Sequence, residues 1–178
     1  LGAVNKSTSN CDYDRCKWVN GQHPRHLPSG ELQAWAGPFL SRAGLPAADE
    51  RVPAALELTR DRAQLLSEIP GVIATIFETE VAYDEASLAK VAGQEDIANR
   101  LAALINGLAS STGWDELEIK AAITATAEGI GVKMGALMLP CRVGVMGSTS
   151  GADLVPVLVL LGQAEVVRRL KNFATKLN

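Results

Sequence analysis

The sequence predicts an all-α fold, and three observations carry that expectation. Hydrophobic residues fill 47% of the 178 positions but aromatics only 4%. The core is therefore aliphatic, and Ala and Leu lead the helix propensity order. Apolar residues recur at spacings of three and four, the period of a helix buried along one face. Strict apolar–polar alternation is nearly absent. VGVM at 143–146 and LVPVLVLLG at 154–162 are the plausible strands, and both read equally as buried helix.

Each element follows from its punctuation. Asp12 caps a short helix that Asn20-Gly21 stops. Ser29 caps the next, with Leu32, Trp35, Ala36 and Phe39 on one face and Ala43 to Pro46 closing it. Asp49 opens an amphipathic stretch in which Val52, Leu56, Ala63 and Leu66 recur, and Pro53 suits its first turn. Pro70, in IPGVIATIF, either starts a new helix or kinks the old one. Asp84 begins a helix through Val91. The run from Gln94 to Ala109 is strongly periodic, with Ile97, Leu101, Leu104, Ile105 and Leu108 on one face. Thr112 is a candidate cap for the next helix. Asp115, Glu116 and Glu118 give its first turn the negative charge that a helix dipole favours, and Gly129 and Gly131 end it. Residues 133–146 are compact and apolar, GSTSGAD is a loop, and Gln163 to Leu177 is a basic amphipathic helix. The expected organisation is a linker over 1–27 and two packed helical subdomains, 28–92 and 93–178.

Several classes are excluded or disfavoured. No apolar run reaches the roughly 18 residues of a membrane span. The start, LGAVNKSTSN, lacks the basic region and apolar stretch of a signal peptide. It also lacks an initiator Met, so a fragment or a processed chain is expected. Three Cys without framework spacing fit a reduced, cytoplasmic setting. The net charge of −3 divides unevenly: +2 over 1–26, −9 over 27–131 and +4 over 132–178. A polyanion would prefer the two ends; a solvated acidic surface with ordinary basic termini is the blander account.

Chemistry-bearing patterns are few. Cys11, Cys16, His23 and His26 give C-x4-C-x6-H-x2-H. Zinc accepts such ligands, but its usual modules have tighter Cys pairs and a longer central spacer, so no metal site is assigned. There is no G-x-S-x-G, and VMGSTSGAD lacks the Lys of a phosphate loop, so no catalytic residue and no cofactor is assigned. RNA offers a better match. Arg60, Arg62, Arg142 and the loop from Ser148 to Ala152 supply planar donors, hydroxyls and backbone groups of the kind that read splayed bases. Each alone also reads as a surface Arg or a turn.

Taken together, three stretches resemble the C-terminal half of bacterial-type glutamyl-tRNA synthetases. The first is Val4-Asn5-Lys6-Ser7 with Asp12-Tyr13-Asp14, Lys17, Trp18 and Asn20-Gly21; His-Pro stands where the family usually has an aromatic-Ile pair before Arg25. The second is Asp61-Arg62-Ala63-Gln64-Leu65-Leu66-Ser67-Glu68, similar to the family's "ER..TL.EL" with Asp for Glu and Leu for Thr. The third and most specific runs from Gly131 through Leu139-Pro140-Cys141-Arg142-Val143 to Gly147 and LLG at 160–162.

The resemblance implies an all-helical cage that holds the tRNA anticodon loop. It implies a monomeric, cytoplasmic parent that attaches glutamate to tRNA, with ATP and Mg handled by an N-terminal catalytic domain. That domain's HIGH-type and KMSKS-type sequences are absent here, so this chain alone is expected to bind tRNA and catalyse nothing. Arg142 matches the family's Arg near the anticodon bases. Arg62 matches the Arg that faces the third anticodon base, with Arg60 one ambiguity away. Gly151, Ala152 and Leu154 match the loop that often carries Thr-Pro before its Leu, so backbone contacts are expected from the first two. A stand-alone RNA-binding or scaffold module derived from such a domain, and an unrelated helical interaction domain, both stay open at this point.

Overall fold

In the computed structural model, which describes residues 25–177, the chain forms nine α-helices and one 3-10 helix, with no strand among the described residues. The helices are α1 (Ser29–Arg42), α2 (Val52–Glu57), α3 (Ile69–Phe77), α4 (Glu85–Ala92), α5 (Ile97–Ala109), α6 (Glu116–Gly129), α7 (Gly135–Met146), α8 (Leu154–Leu161) and α9 (Gln163–Leu177). The 3-10 turn Leu66–Glu68 runs directly into α3. α1, α2 and α3 pack on one another. α5, α6, α7 and α9 form a second group, and α8 touches members of both. One buried cluster runs through all of them, from Leu32, Leu56 and Ile73 to Leu104, Ile123, Val143 and Phe173. The expected division at residue 92 falls at the end of α4, which packs on α7.

Several starts follow the sequence signals. Asp84 caps α4 by accepting from the Ser87 amide at 2.9 Å. Pro70 lies in the first turn of α3 and so starts a helix, where its missing N–H costs nothing. α5 buries Leu101, Leu104, Ile105 and Leu108 as the periodicity predicts.

Other expectations need correction. Pro28, not Ser29, holds the N-cap position of α1; the Ser29 hydroxyl instead donates to Glu57 at 2.8 Å. The buried stripe of α1 is Leu32, Ala36 and Leu40, and Trp35 lies 59% exposed. A stripe at steps of four leaves the intervening aromatic at the edge of the face. α6 is capped by Asp115, which accepts from the Glu118 amide at 2.9 Å, and not by Thr112. The stretch from Asp49 to Leu66 is not one helix. α2 ends at Glu57, and buried Thr59 turns its hydroxyl back to the Leu56 carbonyl at 2.6 Å. Val52, Leu56 and Ala63 are nonetheless buried, because the turn returns Ala63 to the same core. Both candidate strands are helix, in α7 and α8. The expected helix from Asp12 to Asn20, and Cys11, Cys16 and His23, lie outside the described residues; among those described, no His, Cys, Asp and Glu cluster could hold a metal. No described helix is long and apolar enough to cross a membrane.

A helix C-terminus leaves carbonyls without intrahelical donors. Here two such ends, those of α3 and α7, converge on one side chain. Arg169 of α9 is 2% exposed. It donates from Nη1 to Thr75 O at 2.8 Å and Val145 O at 3.0 Å, from Nη2 to Glu78 O at 2.6 Å, and from Nε to Glu165 Oε1 at 2.7 Å. Arg168 pairs with the same Glu165 and reaches Thr79 O at 2.6 Å. The cationic fork also suits the negative end of each helix dipole. α7 approaches α9 closely at Gly144, where an added Cβ would lie 2.8 Å from the Phe173 ring. The Tyr83 hydroxyl donates to the Gly144 carbonyl at 3.1 Å, and its ring stacks on Phe173 with centroids 5.3 Å apart.

Two outcomes follow from this junction. Removing one partner of a buried ion pair costs about 3–5 kcal/mol, and Arg169→Met would also strand three carbonyls. Denaturant titration of Arg169→Met is expected to show a loss of that size. Hydrogen bonds from Arg168 first, and from Arg169, hold the Glu165 carboxyl at about 2, below its ordinary 4.5. The unfolded chain therefore takes up that proton before the folded chain does. The stability it confers is complete above pH 4.5 and lost as pH falls toward 2. Stability measured across that range is expected to fall less steeply in Glu165→Gln than in the parent chain.

Candidate nucleic-acid interface

The loop between α7 and α8 is held open by backbone constraints. Gly147 sits at φ +77°, and an added Cβ there would lie 1.9 Å from the Ala82 carbonyl oxygen. Its own carbonyl accepts from the Asp84 amide at 2.9 Å. Farther on, the Thr149 amide donates to Ser87 Oγ at 3.0 Å. These ties to α4 and the segment before it fix where Ser150, Gly151 and Asp153 face solvent.

Arg142 projects from α7 under this loop. Its Nη1 donates to the Ala152 carbonyl at 2.8 Å. Burial first, then the nearby charge of Arg62, lowers its guanidinium below the ordinary value. Arg62 comes from the turn after α2, and its Nη2 meets Asp153 Oδ1 at 2.5 Å. Arg62, Asp153 and Arg142 thus alternate in charge along one half-exposed surface, although the two Arg are eighty positions apart in the chain. A planar donor fork, a carboxylate and a second fork, backed by the α7–α8 loop, can hydrogen-bond the edge of an unpaired base.

The other sequence candidates fall elsewhere. Arg60 is taken up structurally. It pairs with Glu57 and donates from Nη1 to Leu27 O at 2.8 Å, which ties the entry to α1 onto α2. Its side chain is 17% exposed against 41% for Arg62. Ala152 and Leu154 are buried at 0% and 2%, so neither offers a side chain, and the Ala152 carbonyl is already taken. Gly151 is exposed, at φ +120°. Cys141, next to Arg142, is fully buried and its thiol is pushed up to about 12, so it stays a packing residue. Asp153 is a residue that sequence reasoning did not single out, lying in the loop GSTSGAD before α8. At the N-cap of α8, where Asp is common, its side chain makes no capping bond.

Residues 31–174 match the family described as "Anticodon binding domain". The chain belongs to that family. This anticodon-binding domain is similar to the glutamate–tRNA ligase of Akkermansia muciniphila, 38% identical over 98% of this chain and 39% of the relative. It is also similar to the glutamate–tRNA ligase of Halalkalibacterium halodurans, 31% identical over 97% of this chain and 36% of the relative. The chain therefore spans little more than a third of these relatives' length, matching their C-terminal part. The domain's fold matches that of a glutamate tRNA ligase from Elizabethkingia meningosepticum CCUG26117 with a TM-score of 0.87 at 22% identity, covering 98% of this chain and 34% of that one.

The division between the two Arg is measurable. Arg60→Ala in this anticodon-binding domain removes bonds to a partly buried carbonyl and a carboxylate, and should cost about 1–3 kcal/mol in denaturant unfolding. Arg62→Ala breaks only an exposed pair and should change stability by less than about 1 kcal/mol.

Proposed function

We propose that this domain reads the anticodon loop of glutamate-accepting tRNA as the C-terminal part of a monomeric, cytoplasmic glutamate–tRNA ligase. In this reading Arg62 faces the third anticodon base and Arg142 supports the neighbouring bases, with the Gly151 backbone beside them. The chemistry, joining glutamate to tRNA with ATP and Mg, belongs to the catalytic region of the longer protein. The observation that carries the reading is the juxtaposition of Arg62, Asp153 and Arg142 on one surface in a member of the anticodon-binding family.

A guanidinium donates to the acceptors of cytosine but meets the donors on guanine's pairing edge. That contrast separates glutamate anticodons from glutamine ones at the third base. Each such contact is worth about 1–3 kcal/mol of discrimination. The test is binding of this chain to glutamate tRNA and to a variant with guanine at that base, at two salt concentrations. Binding to both should weaken with salt as phosphate contacts are screened. Preference for cytosine should be about tenfold or more and should collapse in Arg62→Gln. Equal affinity for the two tRNAs in the parent chain would overturn the assignment.

A further inference from the structure

The Asp153 side chain is built against its local role. It stands at the N-cap of α8, where a carboxylate ordinarily accepts from an amide two or three residues on. It makes no such bond. It turns instead to Arg62, ninety-one residues away in sequence, and among the described residues that is the one partner of its carboxylate. Its side chain is 73% exposed. An exposed pair of this kind adds little to stability, so the packing of the domain does not account for the arrangement.

Resting on the proposed reading of Arg62, we infer that Asp153 is a second specificity determinant, accepting a hydrogen bond from the 4-amino group of the cytosine that Arg62 contacts. Arg62 engages Oδ1 through Nη2, and no described residue bonds Oδ2, which stays available as an acceptor on a side chain that is mostly exposed. An acceptor next to donors is the order of groups on guanine's own pairing edge. It complements cytosine, which offers an amino donor followed by two acceptors. Asp is a fitting acceptor for that amino group. Uracil presents a carbonyl oxygen where cytosine has the amine, so it sets oxygen against carboxylate. Donation from Arg62 to the position-2 oxygen does not separate these pyrimidines, because both carry that acceptor; a donor at position 3 adds to the separation, because uracil carries N–H there. Guanine needs two adjacent acceptors for its two donors, and Arg62 occupies one of them. The pair thus shares the work: Arg62 rejects guanine, and Asp153 reads the amine that uracil lacks, a base whose presence at the third position would make the anticodon one for lysine codons.

The experiment compares this chain and Asp153→Asn for binding to anticodon stem-loops with four third bases: cytosine, uracil, guanine, and the pyrimidinone that lacks cytosine's amine. The parent chain should favour cytosine over uracil and over pyrimidinone by about tenfold. In Asp153→Asn, whose amide both donates and accepts, the preference over pyrimidinone should fall to within about twofold, and the preference over uracil should shrink to what the position-3 contact of Arg62 supplies. The preference for cytosine over guanine should persist, because it rests on Arg62. A merely structural Asp153 would weaken all four loops alike. An unchanged cytosine-to-uracil ratio in Asp153→Asn, with cytosine still preferred over guanine, overturns this inference and leaves the Arg62 reading standing. A parent chain indifferent to cytosine and guanine overturns both.

Discussion

The fold turns on one buried guanidinium. α3 and α7 end at the same place and leave carbonyls without intrahelical donors. Arg169 meets Thr75, Val145 and Glu78 there, and Glu165 balances its charge. The same α9 packs on α5 and α7, so this junction joins the helices of the first group to those of the second. Gln163 repeats the device at the start of α9, donating to Leu108 O at 2.8 Å and Ser111 O at 3.0 Å at the end of α5. The C-terminal ends of α3, α5 and α7 are thus finished by side chains from α9. The relative placement of α2 and α7, and hence of Arg62 and Arg142, depends on that joint.

The Arg residues of the domain separate into two kinds. Arg60, Arg168 and Arg169 spend their donors on backbone carbonyls and on Glu57 or Glu165. Arg62 and Arg142 spend few. One holds an exposed carboxylate, the other a single loop carbonyl and a long contact to Met146 sulfur at 3.9 Å. Guanidiniums left with unused forks on a half-exposed surface are what a ligand rich in oxygen acceptors needs. The first kind ties helices and turns together, and the second, in the proposed reading, faces the anticodon loop.

Much of this was legible in the sequence. Helix identity was, because the three-and-four spacing of Leu101, Leu104, Ile105 and Leu108 has one physical meaning. So was the start of α4, because Asp84 caps in the ordinary way. The break after Glu57 was not. Val52, Leu56 and Ala63 keep a helical rhythm while the chain turns, and periodicity records burial, not continuity. The role of Asp153 was not legible for a related reason: its partner, Arg62, lies ninety-one residues away in sequence. Burial of Arg169 was invisible, since nothing local distinguishes it from Arg168. Long-range pairing between charged groups leaves no periodic trace. For the same reason the sequence could name Arg62 and Arg142 through family resemblance, yet could not show that they meet across Asp153.

The most direct test of the account is to follow the side-chain Nε–H signals of the Arg residues by nuclear magnetic resonance while an anticodon stem-loop with cytosine at its third base is added. Arg62 and Arg142 are expected to shift as the loop binds, while Arg60 and Arg169, already bound to carbonyls, stay in place. Shifts confined to Arg168 and the Lys residues of α9, with Arg62 and Arg142 unmoved, would contradict it.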